Sequence, residues 1–288
     1  MIIGGSKKEV IENIKTNILN NELNKKVETT DPTVSEEESR KLIDNYYKLR
    51  KNKLKYLITS FYYNKFIDGF NKKVNKGLEI EGYENLKDIK TGAIITSNHF
   101  NPLDSLAIRQ MVKKAFHKRY YIVSQETNLA LPGILGKIVN NQNVIPLCKS
   151  TNYIIKEFTP RIKEVLSKNN YVLIYPEEEM WFNYRKPRPC KRGAYQFAAE
   201  AGVPIISCFT EIIDLDKEDN DEFNEVKYKL HILKPIYPDP EKSARTNSIE
   251  MAEKDYKQKI EIYEKVYNKK LDYTFDISDI AGYKKQDK

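Results

Sequence analysis

Short apolar runs alternate with helical patterns from residue 77 onward, and this alternation constrains the fold more than any other feature of the sequence. Seven runs have the length and the β-branched or aromatic content of buried strands. They cover residues 78–82, 93–97, 119–123, 144–147, 171–175, 204–209 and 227–234. Helical patterns lie between several of them, over residues 102–116, 160–168 (Thr159 as cap and Pro160 as first residue) and 191–201 (ended by Gly202). Such alternation predicts an α/β fold with a mostly parallel central sheet covered by helices.

The segments on either side of this region predict further helices. Before it, Ser35 and Glu38 form a capping-box pattern that starts a long helix. After it, an amphipathic helix is predicted over residues 247–270. The chain is therefore divided into an N-terminal amphipathic helical extension over 1–76, an α/β domain over 77–240, and a C-terminal helix and tail over 241–288 that packs on the domain. A length of 288 residues suits one domain with such additions.

The positive charge of the chain is concentrated in the N-terminal extension. Residues 45–76 contain nine basic residues and one acidic residue, which account for the whole formal net charge of +8. Apolar and aromatic side chains, among them Phe61, Phe66 and Phe70, alternate with these lysines at helical spacing. The pattern predicts an amphipathic helix that contacts an anionic membrane surface. A helix packed on the domain with solvated lysines gives the same pattern, and the two interpretations are compatible.

Several classes of protein and site are not expected from this sequence. No apolar stretch is long enough to span a bilayer and the N-terminus lacks a signal-peptide core, so a cytoplasmic protein is expected. Cys148, Cys190 and Cys208 are scattered and the three histidines are dispersed, which argues against a disulfide framework and against a metal site. No Gly-rich phosphate loop or nucleic-acid-binding module is recognised, so nucleic acid is not expected as a partner.

The residues that follow the strand at 93–97 carry the clearest sign of chemistry. Asn101 has the pattern of a helix N-cap, Pro102 of a first helical residue and Asp104 of a third. His99 then lies in the turn between strand and helix, where open α/β sheets place their functional residues. A carboxylate at Asp104 that folds back onto His99 fixes the imidazole tautomer and lets the ring act as a general base. The alternative is structural, because the helix dipole alone favours aspartate there and His99 can bond a backbone group.

A second charged group follows the strand at 171–175. Glu177 follows this strand after Pro176, and five cations and two prolines occur within residues 183–193. A carboxylate and arginines at the end of a strand suit an anionic ligand that carries hydroxyl groups, because arginine can hold a phosphate through paired hydrogen bonds. The alternative is a charged loop that is merely solvated.

Four short blocks occur in a fixed order along the chain. They are residues 98–104 with the pattern N-H-x4-D, residues 143–150, residues 175–177 as Tyr-Pro-Glu, and residues 202–206 after the basic turn at 191–194. In this order the blocks resemble those of the glycerolipid acyltransferases typified by the 1-acylglycerol-3-phosphate acyltransferases. The resemblance spans residues 77–235.

The resemblance implies an O-acyltransferase of phospholipid biosynthesis. Such an enzyme moves a fatty acyl chain from a thioester, acyl-CoA or acyl-carrier protein, to a hydroxyl of a lysophospholipid-like acceptor. His99 is then the general base, Asp104 orients it, and no metal or cofactor is needed beyond the thioester co-substrate. Binding of the acceptor's glycerol and phosphate falls to Glu177, Lys149, Arg185, Lys186 and Arg188. Because the acceptor resides in a bilayer, the expected location is peripheral, on the inner face of the cell membrane.

Two blocks depart from the family pattern. Glu178, Glu179 and Met180 replace the Gly-Thr-Arg that usually follows the glutamate of the third block, which removes an arginine that binds an acceptor phosphate. In the second block, Cys148 and Lys149 replace Asp-Arg, which keeps a cation but loses its bidentate geometry. A non-catalytic lipid-binding relative of the same fold is therefore the alternative function.

Overall fold

The structure is a computed structural model that describes residues 6–29 and 34–284, without the side chains of residues 134 and 135. Its strands are β1 (Glu79–Glu81), β2 (Ala93–Thr96), β3 (Tyr120–Gln125), β4 (Val144–Leu147), β5 (Tyr171–Leu173), β6 (Ile205–Glu218) and β7 (Asn224–Ile232). Its α-helices are α1 (Lys8–Leu19), α2 (Glu36–Lys51), α3 (Lys53–Val74), α4 (Ser105–Phe116), α5 (Gly133–Asn141), α6 (Thr151–Tyr153), α7 (Thr159–Ser167), α8 (Gly193–Ala201) and α9 (Ala244–Tyr267).

One sheet joins the seven strands of the described residues in the order β1-β7-β6-β2-β5-β3-β4. The five strands from β6 to β4 are parallel to one another, β7 is antiparallel to β6, and β1 is parallel to β7. The predicted α/β fold with a mostly parallel sheet is thus confirmed. The carboxyl ends of the five parallel strands meet at one edge of the sheet, where such folds bind their ligands.

Helices cover both faces of this sheet. Ile94 of β2 packs in one apolar cluster with side chains of α7 and α8, whereas Ile95 packs in a second cluster with side chains of α4. Successive side chains of a strand point to opposite faces, so a strand buried on both sides reads as a continuous apolar run. This is why the apolar run at 93–97 predicted β2.

Strand β6 is longer than the sequence predicted. It continues well beyond the predicted end at residue 209 and pairs with β7 in an antiparallel hairpin. The outer part of the hairpin is exposed and carries charged side chains, including the ion pair of Lys217 and Glu225 at 2.6 Å. An exposed ribbon needs no continuous apolar run, so the apolar pattern ended before the strand did.

Helix α4 begins at Ser105, so the predicted start at Pro102 is wrong. The residues between them form a turn because the Asp104 carboxylate accepts hydrogen bonds from the amides of Phe100 and Asn101, at 3.0 and 3.2 Å. Asp104 therefore immediately precedes the helix instead of being its third residue.

The predicted cap at Thr159 is also wrong. The helix runs back to Thr151 through α6 and a π-helical turn at Ile154–Phe158, so Pro160 lies inside a continuous helical segment. Proline lacks an amide donor, and the wider π-helical turn before it accommodates the missing hydrogen bond. Gly202 ends α8 as predicted, in the left-handed conformation with φ of 64°.

Helices α2 and α3 form the part of the N-terminal extension next to the sheet. Helix α2 begins with the predicted capping box of Ser35 and Glu38, and the chain passes into α3 at Asn52. Helix α3 lies against α4, where Arg109 pairs with Asp68 at 3.2 Å. No helix in the described part of the chain has the length and apolar content that a membrane crossing requires.

Both ends of the described chain pack near the loop at 176–190, which follows β5. Helix α1 and the residues after α9 share one apolar cluster with Trp181 of this loop. Helix α9 corresponds to the predicted helix at 247–270 and packs on α8 and β6. An ion pair between Asp255 and Lys259 of α9, at 2.6 Å, is fully buried.

Candidate active site

The turn after β2 is fixed to the neighbouring strand β6. The Asn98 side chain donates a hydrogen bond to the Thr210 carbonyl at 3.0 Å and accepts one from the Thr210 amide at 2.8 Å. The Asn98 side chain thereby satisfies the backbone amide and carbonyl of Thr210, beyond the point where the pairing of β2 with β6 ends. His99 follows in this fixed turn at the carboxyl edge of the sheet, with 21% of its side chain exposed.

His99 and Asp104 form the predicted pair. Nδ1 of His99 lies 2.8 Å from Oδ2 of Asp104, the same oxygen that accepts the amides of Phe100 and Asn101. An oxygen that already accepts two amide hydrogen bonds is a carboxylate acceptor, which assigns the ring hydrogen to Nδ1. The lone pair is then on Nε2, which has no hydrogen-bond partner among the described residues. This is the geometry of a general base that is oriented by a carboxylate.

Tyr175, which was not predicted as a site residue from the sequence, completes the surroundings of this pair. Its ring stacks on the His99 ring with centroids 3.9 Å apart, and its hydroxyl donates to Oδ1 of Asp104. Burial and the nearby Asp104 charge raise the pKa of the Tyr175 phenol well above its ordinary value, so the hydroxyl stays protonated as a donor. The available signal was the tyrosine at the position where the third block usually has phenylalanine.

Glu177 lies beneath the turn that carries His99, in a buried ion pair with Arg188. Its Oε2 accepts the His99 amide at 3.2 Å and the Arg188 guanidinium at 2.9 Å, and its Oε1 accepts the Arg188 amide at 2.9 Å. Burial lowers the pKa of Arg188 from its ordinary value, and the Glu177 charge opposes this shift. Glu177 therefore supports the backbone of His99 from inside the protein, and its buried side chain does not fit the acceptor-binding role predicted for it.

The three cations of the 176–190 loop that were predicted to bind the acceptor form ion pairs within the protein. Arg188 pairs with Glu177, Lys186 pairs with Asp279 at 2.7 Å, and both cationic side chains are fully buried. Arg185, with 16% of its side chain exposed, pairs with Asp214. Lys186 and Arg188 have no exposed side-chain surface to offer a phosphate, so the binding role predicted for them does not fit their positions.

Other cations at this edge of the sheet are exposed. Lys149 follows β4, and Lys191 and Arg192 precede α8; none of the three side chains has a partner in the described ranges. The Lys191 amide donates to the Pro176 carbonyl at 2.7 Å, which holds this basic turn next to Glu177. Both residues of this turn belong to the five cations of 183–193 that were predicted to suit an anionic ligand, although neither was singled out as a site residue. No three His, Cys, Asp or Glu side chains of the described residues are placed to bind a metal ion.

Glu178 occupies the position where the third block usually has glycine, and its backbone has φ of 64°. A side chain in this left-handed conformation costs roughly 1 kcal/mol, which glycine avoids. We expect Glu178→Gly to raise the free energy of unfolding by about 1 kcal/mol, measured by denaturant titration. Glu179→Gly is the matched control, since Glu179 is not at positive φ, and it is expected to lower stability. Equal effects of the two substitutions would contradict this account.

Comparisons with known proteins identify relatives of the central part of the chain. Residues 77–211 match the family model described as Acyltransferase. The 1-acyl-sn-glycerol-3-phosphate acyltransferase BAT2 of Brassica napus, a chloroplastic protein, is 26% identical over 163 residues, which cover 55% of this chain and 45% of that protein. The chloroplastic enzyme LPAT1 of Arabidopsis thaliana is 28% identical over 129 residues, which cover 45% of this chain and 34% of that protein.

A solved structure is also similar to the chain. It is the 1-acyl-sn-glycerophosphate acyltransferase PlsC from Thermotoga maritima, with a TM-score of 0.49 and 16% identity. The similarity covers 80% of this chain and 89% of that one. The matches to the two plant relatives span less than half of those proteins' own length.

Proposed function

We propose that this chain transfers a fatty acyl chain from a thioester to a hydroxyl of a lysophospholipid acceptor. The premise is that it belongs to the glycerolipid acyltransferase family through its residues 77–211. The observation that carries the proposal is the pair of His99 and Asp104, which leaves Nε2 of His99 without a protein partner. A partly exposed imidazole with this geometry is suited to take a proton from a bound hydroxyl.

The reaction needs one base and no covalent intermediate on the protein. Nε2 of His99 accepts the hydroxyl proton while the acceptor oxygen attacks the thioester carbonyl carbon, forming the new ester bond. The carbon–sulfur bond breaks, and His99 returns the proton to the departing thiolate. Asp104 stabilises the transient imidazolium, and Tyr175 and two backbone amides hold Asp104 in place.

The acceptor proposed is lysophosphatidate, the class of substrate that the relatives' names imply. The cations proposed to bind its phosphate are Lys149, Lys191 and Arg192, because they are exposed at the carboxyl edge of the sheet. Parallel strands lie about 4.8 Å apart, so the end of β4 is roughly 14 Å from the end of β2. Lys191 and Arg192 lie directly before α8, and the hydrogen bond from the Lys191 amide to the Pro176 carbonyl holds their turn beside the residue that precedes Glu177.

A membrane surface is proposed as the place of reaction, and the distribution of side chains on α3 supports it. The face of α3 toward the domain is partly polar: Asn71 donates to the Leu106 carbonyl at 3.0 Å, and Ser60 is buried. The opposite face is apolar and exposed, with Leu54 at 70% and Tyr62 at 68%. The residues of this exposed face are Leu54, Leu57, Ile58, Phe61, Tyr62 and Phe66. An apolar outer face with lysines along it suits an anionic bilayer.

Charges placed on this exposed face are expected to prevent vesicle binding. We expect Ile58→Glu with Phe61→Glu to weaken binding to phosphatidylglycerol-containing vesicles at least about tenfold, because two apolar anchors are lost near an anionic surface. Flotation of vesicles measures the effect. Ile155→Glu is the matched control, since Ile155 is 65% exposed but belongs to the π-helical turn at Ile154–Phe158 instead of α3. Equal loss in both variants, or no loss in the double variant, would contradict membrane contact through α3.

An acceptor panel tests the proposed substrate class. The purified protein on anionic vesicles is given acyl-CoA or acyl-carrier protein with lysophosphatidate, a lysophospholipid with a zwitterionic head group, or monoacylglycerol. The proposal predicts the highest kcat/KM for lysophosphatidate, since the exposed cations favour a terminal phosphate. A preference for monoacylglycerol would reject phosphate recognition, and no turnover with any pair would favour a non-catalytic lipid-binding protein.

A further inference from the structure

The N-terminal residues 20–29 are joined by hydrogen bonds to the 176–190 loop. The Asn24 side-chain amide donates to the carbonyls of Glu177 and Pro189, at 3.1 and 2.9 Å. In the other direction, the Trp181 indole donates to the Lys25 carbonyl at 2.9 Å. Asn24 therefore bridges the two ends of the loop, through carbonyls twelve positions apart in the sequence.

Helix α1 covers the same loop with apolar side chains. The α1 face that packs here consists of Val10, Ile11, Ile14 and Ile18, all buried in one cluster. Trp181, Phe182 and Tyr184 of the loop belong to this cluster and are themselves at most 2% exposed. Burial of these apolar side chains stabilises the contact between α1 and the loop.

The 176–190 loop also holds the backbone of the turn at residues 98–101, which carries His99 and is called the catalytic turn below. The Trp181 amide donates to the His99 carbonyl at 3.1 Å, and the Asn183 amide donates to the Phe100 carbonyl at 2.8 Å. Together with the bond from the His99 amide to Glu177, these contacts fix the turn on both sides. A continuous series of contacts therefore leads from Asn24 through the loop to His99.

We infer that residues 6–29, which lie outside the family match, position the catalytic turn by docking on the 176–190 loop, with Asn24 as the positioning residue. The segment stabilises a loop whose third block departs from the family pattern. In this block Glu178 has a strained backbone, and the arginine of the usual pattern is absent. Asn24 contacts two loop carbonyls and no reacting atom, so its effect reaches His99 through the loop backbone. The kinetic part of this inference rests on the proposed function.

The test compares Asn24→Ala with Asn13→Ala. Asn13 is the matched control because its side-chain amide donates to the Val27 carbonyl at 2.9 Å, within the N-terminal segment and away from the loop. Hydrogen exchange followed by mass spectrometry reports the amides of residues 181–188. We expect exchange there to be about tenfold faster in Asn24→Ala and unchanged in Asn13→Ala, since two hydrogen bonds to the loop are lost. We expect kcat to fall about tenfold in the same variant while the KM for the acceptor changes less than twofold.

Each result decides the inference. Equal exchange of the loop amides in the two variants would overturn the docking of the loop by Asn24, and faster exchange with an unchanged kcat would overturn its role in positioning His99. Asn24→Asp, which removes the donors without changing shape, replaces the alanine variant if that protein does not fold. If the wild-type protein transfers no acyl group, the proposed function fails, whereas the exchange comparison still decides whether Asn24 orders the loop.

Discussion

Replacing His99 by alanine is expected to lower kcat for acyl transfer by about 10³-fold and to leave the KM for the acceptor within a few fold of wild type. General-base catalysis by a positioned histidine contributes about 10²–10⁴-fold, and the pair with Asp104 has the geometry for the upper half of this range. The remaining activity comes from substrate positioning, which the substitution does not remove.

The control for this substitution is His117→Asn. His117 is exposed at the end of α4 with φ of 52°, a conformation that asparagine accepts, and it has no contact with the catalytic turn. We expect wild-type kcat for this variant. Thermal unfolding of the His99 variant checks that the protein remains folded, and a folded variant with wild-type kcat would remove His99 from the mechanism.

Replacing Arg188 by methionine is expected to lower the free energy of unfolding by about 3–5 kcal/mol. The substitution leaves the Glu177 carboxylate in a buried site without its counter-charge, and breaking a buried pair from one side has this cost. Denaturant titration measures it, with kcat determined on the folded fraction. We expect kcat to fall as well, because Glu177 holds the His99 amide.

The double variant Glu177→Leu with Arg188→Met separates stability from activity. Removing both charges avoids the unpaired carboxylate, so the double variant is expected to be more stable than Arg188→Met alone by at least about 1 kcal/mol. Its kcat should stay low, because Glu177→Leu removes the carboxylate that accepts the His99 amide. A single variant within about 1 kcal/mol of wild type would show that the pair does not carry the stability assigned to it.

The sequence predicted the sheet and the pair of His99 and Asp104 for different physical reasons. The central strands are buried on both sides, so β2 and β5 read as continuous apolar runs in the sequence. The pair of His99 and Asp104 was predicted because a strand end and a short spacing bring the two side chains together locally. The central strands and the proximity of these two side chains were therefore predictable from local pattern.

The partners of the loop cations could not be predicted in the same way. Lys186 pairs with Asp279 and Arg188 bonds the Leu23 carbonyl, contacts between residues far apart in sequence that only the tertiary fold brings together. Composition alone favoured solvated or ligand-binding cations over buried ones, since arginine and lysine are rarely fully buried. The prediction that α4 begins at Pro102 failed for a local reason. The Asp104 carboxylate accepts hydrogen bonds from the amides of its own turn, so Asp104 precedes the helix instead of lying inside it.

The most direct test of the central claim is the stoichiometry of acyl transfer by the wild-type protein and by His99→Ala. The purified proteins are mixed with acyl-CoA or acyl-carrier protein and lysophosphatidate in anionic vesicles, and free thiol and new ester are quantified together. The account predicts equal molar amounts of thiol and diacyl product with the wild-type protein, and a rate about 10³-fold lower with the variant. Thiol release without ester, no turnover by the wild type, or equal rates for both proteins would contradict a His99-dependent transfer from a thioester to a hydroxyl.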